Sequence, residues 1–264
     1  MTEQQFQSLR DYHGEDQVVS APELLLALES EAEPFVTVNS NIPTLDRYIE
    51  GFQSGELYAV SGPTKMGKTL LCQSFTVEMI RHQIFPLWFS YEVPARQFLS
   101  QFGEVPLIYM PARLKAHDMT WVEERILESF IKYHTRVVFI DHLHYLFDIV
   151  RSRNPSLDIG GVIRRLKSLA VDHGLIIFLL CHTTKGKSDG KLSYESIRDS
   201  SFVSQESDCV LMIQRTPKDG ENRSQVRIEF HRRTGILEKT VKLQKVDGYL
   251  REVLDMPEDE EGRE

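Results

Sequence analysis

Cysteine and long hydrophobic runs are scarce in this sequence. The 264 residues include three cysteines, Cys72, Cys181 and Cys209. Their odd number and the lack of a metal-ligand spacing indicate free thiols in a reducing compartment. The longest apolar run, residues 175–181, falls well short of the roughly 18 residues of a membrane helix. The first 16 residues are polar, so we expect no secretory signal, no membrane partner and a cytoplasmic location.

Positive charge is scarce only at the two ends of the chain. Lysine and arginine number 31 against 39 acidic residues, which gives a net charge of −8. Residues 1–33 hold eight acids and one arginine, and residues 252–264 hold seven acids and one arginine. Residues 34–251 therefore carry a net charge of +5, and the acidic total does not exclude a polyanionic partner.

The same charge pattern predicts three regions. Residues 1–33 are predicted to be an acidic appendage or linker, residues 34–251 a folded domain, and residues 252–264 a disordered acidic tail. In the appendage, Ser20 and Glu23 fit the S-x-x-E capping box and predict a short helix after them. The alternative is a disordered tail with one transient helix.

From residue 56 onward, short apolar runs alternate with helical patterns. Strands are predicted over 57–60, 86–90, 137–140, 175–180 and 210–213, and helices over 68–82, 94–102, 120–133 and 159–173. Strands that are apolar on both faces and separated by helices predict an α/β fold, with a mostly parallel sheet between two helical layers. Three later strands without intervening helices predict an antiparallel extension at the C-terminal edge, over 225–231, 240–243 and 249–253.

A phosphate-binding loop is the most specific motif. Residues 62–69, Gly-Pro-Thr-Lys-Met-Gly-Lys-Thr, fit G-x-x-x-x-G-K-S/T between a predicted strand and a predicted helix. Backbone N–H groups of such a loop and the helix N-terminus surround a phosphate. Lys68 would reach the β- and γ-phosphates of ATP, and the Thr69 hydroxyl would bind Mg²⁺. The predicted ATP contacts are Gly62, Pro63, Thr64, Lys65, Met66, Gly67, Lys68, Thr69 and Leu70.

Three further side chains follow predicted parallel strands, whose carboxyl ends face the ligand in such sheets. Asp141 is the expected second Mg²⁺ ligand. Glu92 is the candidate that activates water for attack on the γ-phosphate; the alternative is an acid at the helix N-terminus near Pro94. His182 is either a γ-phosphate sensor or a core histidine.

In this order, the motifs resemble the RecA-like ATPase domain of the DnaB-type replicative helicases, over about residues 40–245. Residues 89–94, Phe-Ser-Tyr-Glu-Val-Pro, are similar to the family segment that carries the catalytic glutamate. The pairs Asp141-His142 and Cys181-His182 are similar to pairs in phage primase-helicases and the mitochondrial helicase Twinkle. The resemblance implies an ATP-driven ring of about six subunits that moves on single-stranded DNA and unwinds the duplex.

Residues 231–235, His-Arg-Arg-Thr-Gly, are similar to the family's K-x-R-x-G segment. The resemblance implies that Arg233, or else Arg232, enters the ATP site of the neighbouring subunit. His231 stands where the family has lysine, so either His231 or Arg232 would take that lysine's role. The alternative for Arg233 is a surface ion pair with an acid such as Glu229 or Glu238.

The resemblance also implies a DNA-contacting loop at residues 183–196. Lysines and glycines in a flexible loop contact phosphates without reading sequence. The alternative is an ordinary solvated loop. The predicted DNA contacts are Lys185, Gly186, Lys187, Lys191 and Arg198.

The partners that we expect are single-stranded DNA, further copies of the chain and a separate primase or loader, since no primase segment precedes the ATPase motifs. Two other functions remain open from the sequence. One is a RecA/RadA-like recombinase or loader in which ATP switches DNA binding. The other is a KaiC-like ATPase that acts on protein. Residues 40–46 are compatible with all three.

Overall fold

The computed structural model describes residues 1–14, 16–30, 35–148, 154–182, 200–216, 220 and 222–253. The chain divides into two compact units, Met1–Pro34 and Phe35–Glu264. No helix among the described residues is long and apolar enough to cross a membrane.

Two helices form the first unit, α1 (Glu3–Arg10) and α2 (Ala21–Ser30). The Ser20 N–H donates to the Glu23 carboxylate at 3.0 Å, so the predicted capping box starts α2. Helix α1 was not predicted, although Thr2 and Gln5 give it a capping box of the same kind. This T-x-x-Q pattern was the sequence signal for α1.

The second unit contains the remaining elements. Its helices are α3 (Pro43–Ile49), α4 (Lys68–Arg81), α5 (Ala95–Ser100), α6 (Met119–Tyr133), α7 (Pro155–Asp172) and α8 (Ser200–Glu206), with a short 3₁₀ turn at Leu143–Tyr145. Its strands are β1 (Thr37–Val38), β2 (Phe52–Gln53), β3 (Leu57–Gly62), β4 (Leu87–Ser90), β5 (Val137–Asp141), β6 (Ile176–His182), β7 (Cys209–Arg215), β8 (Arg223–His231), β9 (Ile236–Val246) and β10 (Tyr249–Glu252).

Eight of the described strands form one sheet in the order β10-β9-β8-β7-β3-β6-β5-β4. Strands β7, β3, β6, β5 and β4 are parallel to one another, whereas β8, β9 and β10 add antiparallel pairs at the β7 side. Both the parallel sheet and its antiparallel extension are therefore confirmed. Strands β1 and β2 pair separately.

Each face of the sheet has its own hydrophobic core, because successive strand residues point to opposite faces. Tyr58 and Val60 of β3 lie in one core, which also receives apolar residues of α3 and α4. Leu57 and Ala59 lie in the other, which receives α6 and α7. All four side chains are fully buried, as expected for a central parallel strand.

The sheet ends in the strand that the sequence predicted over residues 249–253. Glu252, which the sequence placed at the start of a disordered tail, belongs to β10. Its carboxylate accepts a hydrogen bond of 2.8 Å from the Thr44 N–H at the start of α3. This contact holds the end of the last strand against the domain.

Candidate active site

The loop between β3 and α4 turns at two glycines. Gly62 has a φ of +152°, and a Cβ at this position would lie 2.4 Å from the Ile213 carbonyl oxygen. Gly67, with a φ of +101°, is the N-cap of α4. The close approach and the positive φ both require glycine. The first turn of α4, which contains Lys68, Thr69 and Leu70, therefore presents its N–H groups at the end of the loop.

The Lys68 ammonium lies inside this loop. It donates to the carbonyl oxygens of Gly62 at 2.9 Å and Pro63 at 3.1 Å. Burial lowers its pKa, and the charges of Glu92 and Asp141 oppose this shift. A desolvated ammonium held by neutral carbonyls can exchange them for the negative oxygens of a phosphate.

Thr69 and Asp141 form a pair of oxygen ligands. The Thr69 hydroxyl donates to Asp141 Oδ2 at 2.7 Å. Asp141 is fully buried, and its other oxygen, Oδ1, has no hydrogen-bond partner among the described residues. Burial raises the Asp141 pKa to about 6. An unpartnered buried oxygen beside a hydroxyl fits the hard oxygen ligands that Mg²⁺ prefers, so Thr69 and Asp141 are suited to hold Mg²⁺.

His182 links Lys68 to Glu92. Its Nδ1 lies 3.0 Å from the Lys68 Nζ, and its Nε2 lies 3.5 Å from Glu92 Oε2. Because an ammonium can only donate, Nδ1 accepts and Nε2 carries the proton that faces Glu92. Burial and the Lys68 charge lower the His182 pKa. The neutral ring thus positions the carboxylate relative to the phosphate loop.

His142 is a further member of the site to which the sequence analysis gave no role. Its ring centroid lies 4.4 Å from that of His182 in an edge-to-face contact, and its Nδ1 accepts from the His144 backbone N–H at 3.3 Å. Burial lowers the His142 pKa to about 3, so the ring is neutral. Its position directly after the strand-end Asp141 was the available signal.

Lys68, Thr69, Glu92 and His182 line an open cavity of about 530 Å³. The distant segment Lys245–Gly248, at the turn between β9 and β10, contributes two of its lining residues and was not predicted. Of the predicted loop residues, Thr64 and Lys65 are exposed and Met66 is half-buried. The cavity is lined by Lys65, Gly67, Lys68, Thr69, Leu70, Gln73, Glu92, Val93, Gln101, His182, Lys245 and Gly248.

Arg233 lies away from this cavity, at the end of the sheet where β3 begins. Its guanidinium donates to Glu56 at 2.8 Å and to Glu50 at 2.9 Å. It also donates to the carbonyl oxygens of Ile49 at 2.6 Å and Gly51 at 3.0 Å. The alternative that the sequence raised, an ion pair with Glu229 or Glu238, is wrong in its partners, because Arg227 contacts both of those acids at 3.2 Å.

The two neighbours of Arg233 that the sequence singled out have separate surroundings. His231 is buried, and its Nδ1 lies 2.8 Å from the Thr234 hydroxyl. Arg232 is exposed and donates to the Gln205 carbonyl oxygen at the end of α8. Within its own chain, neither residue lines the phosphate cavity.

The predicted DNA contacts lie outside the described residues. This applies to Lys185, Gly186, Lys187, Lys191 and Arg198. Their contact with DNA stays a prediction.

Curated and solved proteins resemble this chain over most of its length. A probable replicative DNA helicase of Trieres chinensis is 21% identical over an alignment of 228 residues, which covers 73% of this chain and 50% of the relative. The chain thus spans about half the length of this curated relative. A solved ATPase domain matches with a TM-score of 0.76 and 17% identity, over 90% of this chain and 100% of that domain.

Two other solved structures share the fold. A DnaB-like replicative helicase, described with its interactions with primase, has a TM-score of 0.72 and 17% identity, over 94% of this chain and 70% of that chain. A KaiC-like protein of Pyrococcus horikoshii has a TM-score of 0.63 and 18% identity, over 84% of this chain and 100% of that chain. The predicted RecA-like fold of the DnaB-type ATPase domains is confirmed. A family model described as an AAA domain matches residues 25–188, more than half of the chain, and the chain belongs to that family.

Proposed function

We propose that this chain is the ATPase motor of a replicative-type DNA helicase, which assembles into a ring of about six subunits around single-stranded DNA. Lys68 and the loop N–H groups bind the ATP phosphates, and Thr69 and Asp141 hold Mg²⁺. When bound, the metal neutralises charge on the phosphate oxygens. Glu92, positioned by His182, takes up the proton of the attacking water.

The observation that carries the ring assembly is the placement of the phosphate loop and Arg233 at opposite ends of β3. The loop follows Gly62, whereas Arg233 contacts Glu56, next to the first residue of the strand. The five residue steps of β3 separate these ends by about 16 Å. Arg233 therefore cannot contact ATP bound by its own chain. A neighbouring copy that places this edge beside the cavity would bring a guanidinium to the γ-phosphate.

DNA as the substrate is supported by the curated relative, whose name is that of a probable replicative DNA helicase. The charge of +5 on residues 34–251 is compatible with a polyanion in the centre of such a ring. ATP hydrolysis at each interface would change the contacts between neighbours and move the loops that hold DNA. A separate primase or loader completes the proposed set of partners.

A forked duplex with a fluorescent strand tests this function. With ATP and Mg²⁺ we expect strand separation, ATP hydrolysis stimulated by single-stranded DNA, and a native mass of about six chains. The Lys68→Ala variant is the matched control and should separate no strands. Strand pairing without unwinding would instead favour a recombinase-type filament, and ATP hydrolysis unaffected by DNA would favour an ATPase that acts on protein.

A further inference from the structure

Glu92, His142 and His182 form a cluster whose chemistry differs from that of the Mg²⁺ ligands beside it. Each offers one ligand atom, and the three atoms lie within 4.8 Å of one another. Two imidazoles and one carboxylate are a ligand set that occurs in zinc sites with an open fourth position. Mg²⁺ by contrast selects oxygen ligands. We propose that this cluster binds a zinc-class transition metal ion in the nucleotide-free protein.

The separations of the ligand atoms fit such an ion. Zinc–ligand bonds of about 2.0–2.2 Å in a tetrahedral arrangement place ligand atoms about 3.4 Å apart. His182 Nε2 and Glu92 Oε2 are already 3.5 Å apart. The widest separation in the cluster, 4.8 Å, requires a closure of less than about 1.5 Å, which side-chain rotation can supply. Glu92 and His182 line the open cavity, so an ion can enter from solvent.

His142 also contacts a second histidine, His144. Its Nδ1 lies 3.3 Å from the Nδ1 of His144. With Nδ1 engaged there, Nε2 is the nitrogen left for a metal. When Nε2 binds the ion, the neutral ring carries its proton on Nδ1, which then no longer accepts from the His144 backbone N–H but can donate to the His144 Nδ1.

The contact between His182 and Lys68 makes zinc binding depend on the Lys68 charge. A metal on Nε2 displaces the proton that faces Glu92, and the neutral ring then carries its proton on Nδ1. This Nδ1 lies 3.0 Å from the Lys68 ammonium, which can only donate. Zinc binding therefore requires the Lys68 ammonium to give up its contact with Nδ1 and to keep its hydrogen bonds to the carbonyl oxygens of Gly62 and Pro63. The ammonium also repels the ion. Lys68 therefore lowers the zinc affinity of the cluster, and its removal should raise that affinity.

Zinc in this cluster would inhibit ATP hydrolysis, a consequence that rests on the proposed function. The ion would occupy the carboxylate of Glu92, which then could not take up the proton of water. It would also hold His182 away from the phosphate loop. We expect zinc and a non-hydrolysable ATP analogue to weaken each other's binding.

The site is tested by titrating the nucleotide-free chain with ZnCl₂ against a chromophoric chelator, and with CoCl₂ by visible absorption. We expect one ion per chain and the strong visible bands of tetrahedral Co²⁺. Loss of a direct ligand should lower zinc affinity by at least about 100-fold, the upper end of the effect of losing an outer-shell partner. His142→Ala and Glu92→Gln should both show this loss, and Lys68→Ala should bind zinc more tightly than the wild type.

The matched control is His82→Ala. His82 directly follows α4 and lies 3.1 Å from Glu78, so the two form a histidine–carboxylate pair with no third ligand among the residues that the structure describes. Its removal should leave zinc affinity unchanged. Equal affinity in Glu92→Gln and the wild type would overturn the proposal, and this exposed substitution tests it even if His142→Ala fails to fold. Because the titration needs neither nucleotide nor DNA, absence of helicase activity would refute the proposed function alone.

Discussion

The Arg233 guanidinium and the Glu56 carboxylate form an ion pair of 2.8 Å at the end of the sheet opposite the phosphate loop. Tyr58 and His231 surround the same carboxylate. Although burial by itself raises the Glu56 pKa, contacts from His231, Arg233 and Tyr58 outweigh it and lower the pKa to about 2. The candidate trans-acting arginine thus already pairs with a buried carboxylate in its own chain.

Glu56→Gln should destabilise the fold by about 2–3 kcal/mol at pH 7, since it leaves Arg233 without its buried charge partner. The folded pKa is below that of the unfolded chain, so the carboxylate stabilises the protein above about pH 4.5 and loses this effect as the pH falls toward 2. The difference in unfolding free energy between Glu56→Gln and the wild type, measured by urea unfolding, should be smaller at pH 3 than at pH 7. The control Glu238→Gln, at an exposed partner of Arg227, should destabilise the fold by less than about 1 kcal/mol. Equal destabilisation by the two substitutions would contradict the stabilising role of the contacts around Glu56.

Lys68→Ala should reduce ATP turnover by at least about 100-fold, because it removes the buried ammonium that contacts the loop carbonyl oxygens. Nucleotide binding, measured with a fluorescent ATP analogue, should weaken in parallel. The melting temperature should change little, since the lost hydrogen bonds run to carbonyl oxygens that border the open cavity. A variant that hydrolyses ATP normally would refute the predicted role of the loop.

Glu92→Gln should bind ATP as the wild type does and hydrolyse it about 10²–10⁴-fold more slowly, because an amide of the same shape cannot take up a proton. Single-turnover hydrolysis with radiolabelled ATP measures the chemical step directly. Glu78→Gln, on the surface of α4, is the matched control and should leave the rate unchanged. Near-normal hydrolysis by Glu92→Gln would assign the water-activating role to another group.

Arg233→Ala should bind ATP but lose most DNA-stimulated hydrolysis, by about 10³-fold or more if a neighbour's arginine contacts the γ-phosphate. Mixing it with Lys68→Ala should restore part of the activity, because some interfaces then combine an intact Lys68 with an intact Arg233. Arg227→Ala is the control, since Arg227 also lies between two glutamates; it should stay active.

Native mass measurement must first show that the mixed chains assemble together. Mixtures that assemble and remain inactive at every ratio would count against Arg233 acting in trans. The same mixing series with Arg232→Ala distinguishes the two arginines.

Replacing Lys185, Lys187 and Lys191 with alanine should weaken binding of single-stranded DNA equally for all sequences. Each lost phosphate contact removes about 0.7 from the slope of log affinity against log salt, so three contacts should flatten it by about 2. Fluorescence anisotropy of labelled oligonucleotides over a salt series measures this slope. ATP binding without DNA serves as the internal control, and an unaltered slope would exclude these lysines as DNA contacts.

The order of strands and helices was predictable because it depends on local patterns. Apolar runs such as Val137–Asp141 and Ile176–His182 are buried on both faces, and only a central parallel strand requires that. The phosphate loop could also be predicted, since its two glycines, Lys68 and Thr69 all lie within residues 62–69. Parallel strands bring their carboxyl ends to one edge, so the convergence of Asp141 and His182 followed from their places at strand ends.

Contacts between distant segments were decided only by the tertiary structure. Arg233 meets Glu56 across 177 residues, because β8 runs antiparallel to β7 and ends where β3 begins. Lys245 and Gly248 reach the phosphate cavity because the last hairpin packs against α4, where the Leu250 N–H donates to Ser74 at 2.9 Å. Residue type and spacing specify which segments form strands and loops, whereas these pairings depend on strand order and sheet packing, which no local pattern contains.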